Sequence, residues 1–158
     1  MSTAPLREGD TAPAFDLPTD GGGRVSTESL AGKPYVLYFY PKDDTSGCTK
    51  EAQGFTQSYG AFKAKGVEVI GISKDDVASH EKFRAKYDLT FPLASDEEGK
   101  VVEAYGSWVE KSMYGRTYMG IDRSTFLVGK DGKIARAWRK VKVPGHVEEV
   151  LAAAESLS

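Results

Sequence analysis

The run Tyr35-Val36-Leu37-Tyr38-Phe39-Tyr40 is apolar or aromatic at every position. A strand with one wet face alternates polar and apolar residues. A strand with no polar position is a central one, covered on both sides. Pro41 ends the run, because proline has no N–H to give to a ladder. Whatever this chain folds into must therefore place cover on both faces of a sheet around residues 35–40.

The remaining elements supply that cover. Cys48, Ala52, Phe55, Tyr59 and Phe62 recur at spacings of four, three, four and three. This is one face of an amphipathic helix closed by Gly66, with Cys48 pointing inward at its head. Val67–Ser73 reads as a second buried strand, and Asp75 or Asp76 caps a helix running to Tyr87 with Val77 and Phe83 inside. Phe91–Ala94 is a short extended piece, followed by a brief helix through Val101, Val102 and Tyr105. Ser124–Val128 and Ile134–Trp138 flank Gly129-Lys130-Asp131-Gly132-Lys133, a hairpin signal. A last helix follows Pro144-Gly145, with Val147, Val150, Leu151 and Ala154 buried. Residues 1–33 read as an N-terminal hairpin built from Phe15-Asp16-Leu17 and Val25-Ser26. Residues 107–120 show no clear period and read as a packed loop, a pocket wall or an association patch. The order is that of an α/β, thioredoxin-like sandwich with a central mixed sheet, an N-terminal hairpin extension and flanking helices.

Composition narrows the function. The 158 residues fit a single domain, 1–158, able to bury a substantial core without disulfides or metals. A formal net charge of −2 gives no electrostatic reason to expect nucleic acid or an anionic membrane as partner. One cysteine excludes an internal disulfide and favours a reducing compartment. Met1–Asp10 lacks the basic start and apolar stretch of a secretory signal, and no run approaches the ~20 apolar residues that span a bilayer. The expected location is the cytosol.

The chemistry centres on Pro41-Lys42-Asp43-Asp44-Thr45-Ser46-Gly47-Cys48-Thr49, where a strand ends and a helix begins. Backbone N–H groups at a helix N-terminus favour negative charge, and the thiolate is the reactive form of a thiol. The hydroxyl of Thr45, three residues before Cys48, can reach the sulfur or whatever it attacks. Taken singly, the same residues are compatible with an inert buried thiol and a turn hydroxyl.

Pro41-x-x-x-Thr45-x-x-Cys48 is the peroxiredoxin active-site pattern. The longer agreement resembles the Q-type peroxiredoxins, also called the bacterioferritin comigratory protein group. It runs through Tyr38–Thr45, Gly47–Ala52, Tyr114-Gly115, Tyr118-Met119-Gly120 and Arg123–Leu127. It extends from Gly9-Asp10 to Val150-Leu151. The resemblance implies a thiol peroxidase that reduces hydrogen peroxide and organic hydroperoxides without cofactor or metal. Cys48 would be the nucleophile and become a sulfenic acid. Arg123 would hold the thiolate and the peroxide oxygens with its permanent charge. Thr45 would hydrogen-bond the sulfur and peroxide, and Pro41 would shield the pocket. Glu51 reads either as a first-turn carboxylate complementing the helix dipole or as the group that orients Arg123.

A magnitude explains why a thiol alone is not enough. At neutral pH a free thiol, with pKa about 8.5, is only ~3% thiolate. Lowering the pKa to about 6 raises the thiolate fraction roughly thirtyfold but costs roughly ten- to twentyfold in nucleophilicity, at a Brønsted slope of about 0.4–0.5. Speed must come from donors aimed at the breaking O–O bond, with Thr45, Arg123 and the N–H groups near Gly47-Cys48 as candidates.

The departure from the family lies in the second sulfur. Many Q-type members carry a resolving cysteine five residues after the first, and others carry it on the next helix. Here those places hold Gln53 and Glu81-Lys82-Phe83-Arg84-Ala85. The chain looks like a one-cysteine variant whose sulfenic acid is reduced by an external thiol: thioredoxin, glutaredoxin or glutathione. The group's tendency is a monomer or a weak homodimer. A non-enzymatic redox sensor on the same fold is the alternative.

Other features read as structural. His80 and His146 stand alone and read as surface or helix-start residues, and Asp43-Asp44 as solvated loop acids. Asp96-Glu97-Glu98 reads as a helix-start cluster without metal-ligand spacing, and Lys130–Lys142 as a solvated hairpin face.

Overall fold

β3 (Tyr35–Phe39) is buried along its whole length and lies between two other strands. The computed structural model describes residues 6–157. Residues 1–5, the start of the segment read as free of a secretory signal, and residue 158 lie outside the described residues.

The five-stranded sheet has the order β5-β4-β3-β8-β9, with β4 at Glu68–Ser73, β5 at Leu93–Ser95, β8 at Ser124–Val128 and β9 at Ile134–Trp138. β3, β4 and β5 are parallel, because α1 (Ser46–Ala64) and α2 (Val77–Tyr87) carry the chain back between them. β8 and β9 form the hairpin expected from the Gly129–Lys133 turn, β8 pairing antiparallel with β3 and β9 antiparallel with β8. The sheet is therefore mixed.

The pleat of β3 divides the core. Tyr35, Leu37 and Phe39 face one side, where Ile70, Ile72, Phe126, Tyr105 and the N-terminal segment close over them. Val36, Tyr38 and Tyr40 face the other, under α1, α2 and α4 (His146–Glu155). Cys48 belongs to this second side. The α1 stripe is buried at Cys48, Ala52, Phe55 and Phe62, with Tyr59 half-buried. Gly66 turns the chain out of the helix at φ +75°. Asp76 is the residue that caps α2, accepting from the Ser79 N–H at 2.8 Å. β1 (Asp16–Pro18) and β2 (Arg24–Ser26) make the expected N-terminal hairpin, and α3 (Lys100–Ala104) the brief helix.

Three readings need correction. Residues 108–121 are a β-hairpin, β6 (Trp108–Met113) and β7 (Arg116–Ile121), and not a packed loop. Met113, Tyr114, Tyr118 and Met119 are exposed on it, so no buried face imposes an alternation for periodicity to find. Inside α2 the buried residues are His80 and Phe83, with Val77 half-buried. In α4 they are His146, Val147, Val150, Ala153 and Ala154, while Leu151 is half-buried.

Candidate active site

The site forms where β3 hands the chain to α1. Pro41 follows Tyr40 and is exposed. The loop bends through Asp44 at φ +59°, and Thr45 takes the extended conformation of a helix-flanking residue. The Thr45 carbonyl accepts the first helical bond, from the Thr49 N–H at 2.8 Å. Its hydroxyl closes the loop by donating to the Lys42 carbonyl at 2.9 Å. Cys48 lies in the first turn of α1 with 1% of its surface exposed.

Arg123 arrives from the strand beside β3, one residue before β8. Antiparallel pairing sets Ser124 opposite Phe39, which carries the start of β8 to the head of α1. One guanidinium nitrogen, Nη2, donates to Cys48 Sγ at 3.3 Å, and the other, Nη1, to Glu51 Oε1 at 2.6 Å. Cys48 and Glu51, three residues apart, share one helix face, so a single guanidinium spans both. A Cβ at position 47 would stand 3.2 Å from Nη2; glycine there leaves room for the guanidinium.

Glu51 is 0% exposed and its second oxygen, Oε2, has no partner among the described residues. Burial pushes its carboxyl up to about 7 against the opposing pull of Arg123. The first-turn dipole reading of Glu51 is therefore wrong: the residue lies beyond the first turn and meets Arg123. Tyr38, stacked on Phe55 at 4.6 Å, brings to the same region a second buried oxygen without a partner among the described residues. Burial, reinforced by the neighbouring Glu51 and Cys48 charges, raises that phenol well above its ordinary value. Its ring also explains Gly71, where a Cβ would stand 2.9 Å from the Tyr38 hydroxyl.

The structure thus brings Cys48, Glu51 and Arg123 together and leaves Pro41 and Thr45 on the exposed lip. It also holds a buried network absent from the sequence reading. Asp43 is not a solvated loop acid: its carboxylate accepts from Tyr40 Oη at 2.6 Å and Ser79 Oγ at 2.7 Å, and meets His80 Nδ1 at 2.7 Å. His80 is 0% exposed and not a surface residue. Its spacing from Phe83 and Tyr87, three and then four residues, is the signal that places it on the inner stripe of α2. Asp44 is exposed and meets Lys86 Nζ at 2.8 Å and Tyr87 Oη at 2.7 Å. His146 does start α4, but it is buried against Thr125 Oγ1 at 2.8 Å, and burial lowers its pKa. Asp96 is also buried and accepts from the Val102 N–H at 2.8 Å, while Glu97 and Glu98 stay exposed. Among the described residues, no group of three or more His, Cys, Asp or Glu side chains could hold a metal.

Comparison with known proteins decides the family. The AhpC/TSA family matches residues 8–137. The chain belongs to that family. Peroxiredoxin Bcp of Bacillus subtilis is 45% identical over 150 residues, 95% of this chain and 96% of that one. The structure of Xylella fastidiosa PrxQ, a cysteine-to-serine mutant, superposes with a TM-score of 0.92 at 39% identity, covering 98% of each chain. The bacterioferritin comigratory protein of Xanthomonas campestris, solved as a trapped intermediate/ligand complex bearing on its alkyl peroxide reduction, gives 0.86 at 42% identity and 90% coverage of each chain. Within AhpC/TSA this chain is a peroxiredoxin of the Q or Bcp type, with Cys48 as its one cysteine. The thioredoxin-like sandwich expected from the element order is the fold of these neighbours.

Proposed function

We infer that this peroxiredoxin is a thiol-dependent peroxidase with Cys48 Sγ as its nucleophile. The observation that carries the reading is the Arg123 guanidinium spanning Cys48 Sγ and Glu51 Oε1. The Cys48 thiolate attacks the terminal peroxide oxygen, an S–O bond forms as the O–O bond breaks, and the leaving oxygen takes a proton to become water or an alcohol. Cys48 is left as a sulfenic acid. Arg123 donates to sulfur and to the oxygens as charge moves between them, and Glu51 fixes its orientation. The Thr45 hydroxyl, closed on Lys42 at rest, donates to the bound peroxide, and Pro41 shields the lip.

An external thiol then attacks the sulfenic sulfur, releasing water and forming a mixed disulfide. A second thiol resolves it, restoring Cys48 and leaving the reductant as a disulfide. Thioredoxin, glutaredoxin or glutathione supplies those thiols. The protein acts as one domain over residues 1–158 in the cytosol, as a monomer or weak homodimer. A non-enzymatic sensor is not favoured for a chain so close to Bcp peroxiredoxins.

Anaerobic single-turnover oxidation by hydrogen peroxide tests this, read by thiol loss and a sulfenate-specific label. Oxidation far faster than that of a free thiol at equal pH is expected. A rate equal to a free thiol's with both hydrogen peroxide and an organic hydroperoxide would overturn the assignment.

A further inference from the structure

Recycling sets a steric problem. Cys48 is 1% exposed and the chain has no second cysteine, so an external thiol must reach a covered atom. The 41–45 loop leading into α1 therefore has to move between peroxide cleavage and thiol attack. Asp43 is where that loop is held. Its backbone N–H donates to Asp75 Oδ2 at 2.9 Å, and its carboxylate collects Tyr40, Ser79 and His80.

Asp75 is anchored in turn by Ser73 of β4 and Ser95 of β5, and His80 reaches β5 with its own side chain. Its Nε2 stands 2.9 Å from the Ala94 carbonyl on β5, and a carbonyl only accepts, so Nε2 carries a proton. Its Nδ1 faces a carboxylate already accepting two hydroxyl protons, so Nδ1 donates as well. His80 is an imidazolium that ties the Cys48 loop to the sheet through α2. The second strap, Asp44 to Lys86, is exposed on both sides and correspondingly weak.

We propose that His80 is a positioning residue that holds the Cys48 loop closed through Asp43, and thereby governs both peroxide attack and access of the external thiol. Closed, the loop keeps Cys48 beside Arg123. Open, it exposes sulfur to the reductant. Loosening the latch therefore slows the first half-reaction and makes the sulfur easier to reach. The proposal rests on the peroxidase reading for the first effect and is independent of it for the second.

The imidazolium also gives the latch a pH dependence. The groups facing His80 are Asp43 and Tyr40 from the β3 end, and Asp75 from the turn before α2, with the Ala94 carbonyl from β5. Burial pulls the His80 pKa down, but the Asp43 contacts outweigh it and the value is raised. The latch is complete at lower pH and is lost as pH rises through that raised value.

The test uses the purified 158-residue protein and two substitutions that differ in which ring nitrogen they imitate. The amide nitrogen of His80→Asn falls near Nδ1 and keeps a donor on Asp43. That of His80→Gln falls near Nε2 and keeps only the Ala94 contact. Cys48 alkylation by iodoacetamide reports opening whether or not the protein is a peroxidase, and single-turnover oxidation by hydrogen peroxide reports positioning. His80→Gln is expected to speed alkylation and slow oxidation, each at least ~10-fold, the scale of a small misplacement transmitted from outside the chemistry. His80→Asn is expected to stay much closer to the parent and to lose its alkaline increase in alkylation.

Ser79→Ala, which removes one donor to Asp43 from a half-buried position, moves both rates the same way by less. Equal behaviour of the Asn and Gln variants would overturn the proposal, as would a Ser79→Ala protein with both rates unmoved if His80→Gln fails to fold. A parent that oxidises no faster than a free thiol would instead refute the peroxidase reading, while the alkylation contrast still decides the latch.

Discussion

Glu51 and Asp43 are both buried carboxylates beside a positive side chain, one on each side of Cys48 in sequence, yet they are finished differently. Asp43 has every direction filled: Tyr40, Ser79 and His80 on its oxygens and Asp75 on its N–H. Among the described residues Glu51 has one oxygen on Arg123 and the other on nothing, with the Tyr38 hydroxyl, likewise unpartnered there, in the same region. A saturated buried pair is fixed in place, because losing one contact strands the others in a low-dielectric setting. An under-satisfied one holds its charge reluctantly, and burial pushes Glu51 up to about 7. Arg123 therefore keeps a donor turned to sulfur and is not consumed by its acid. On the proposed mechanism, saturation sits where the loop is held and shortage where electrons move.

The first way to break this comparison is to remove the reacting pair. Cys48→Ser is expected to abolish peroxide reduction. Arg123→Ala is expected to slow it by ~10²-fold or more, the scale of losing a preorganised donor, with the circular dichroism spectrum kept. Rapid kinetics on either variant that matched the parent would remove the Cys48–Arg123 site from the mechanism.

The two pairs should next separate in stability. Removing one partner of a buried ion pair costs about 3–5 kcal/mol. His80→Gln should fall in that range by denaturant unfolding, and His80→Asn well below it. A His80→Gln loss under 1 kcal/mol would mean, by comparison with that range, that Asp43 and His80 are not an ion pair.

Their pH windows should separate too. Both native pKa values are raised, so both groups stabilise at low pH and lose that contribution as pH rises. For Glu51 the loss runs between about 4.5 and about 7 and amounts to at most on the order of 3 kcal/mol, from the free-energy equivalent of the shift. For His80 it begins at the ordinary histidine value of 6.5 and is complete once pH has passed the raised one. The melting temperature of Glu51→Gln, measured relative to the parent, should climb across pH 5 to 7 and level off. Parallel curves for the two proteins would show that Glu51 titrates as an ordinary surface acid.

The two pairs were also unequally legible in the sequence. β3, α1, β4 and the β8–β9 hairpin each announce themselves by an apolar run, a helical stripe or a turn signal within a few residues. Cys48 and Thr45 fall in one such local pattern. Arg123 lies far along the chain, and only the resemblance of its Arg-Ser-Thr strand to the Q-type family joins it to the sulfur. Asp43 and His80 have no local pattern joining them, since a strand, a helix and a crossover separate the pair. His80 looked solitary because its partner comes from another element, although its spacing from Phe83 already set it on a buried stripe.

The hairpin at residues 108–121 offers the smallest and most pointed contrast with both pairs. Tyr114 is 97% exposed and its φ is +53°, followed by Gly115 at +76°. Two successive positive φ values make a tight hairpin turn in which asparagine followed by glycine is preferred, and a bulky aromatic residue is strained in the first place. Tyr114→Asn should therefore raise stability, by ~0.5–1 kcal/mol, while leaving Cys48 oxidation untouched. Tyr118→Thr on the neighbouring exposed face should change stability by less than about 0.5 kcal/mol, as surface substitutions do. A loss on either substitution that grows with protein concentration would mean the ring is covered by a second copy in solution, because only an associating surface makes stability depend on concentration. An unfolding midpoint that rises for Tyr114→Asn and is the same at every protein concentration fits a hairpin that is anchored in the core at Trp108 and Ile121 and stands free at its tip, where the sequence is constrained by the turn and not by burial.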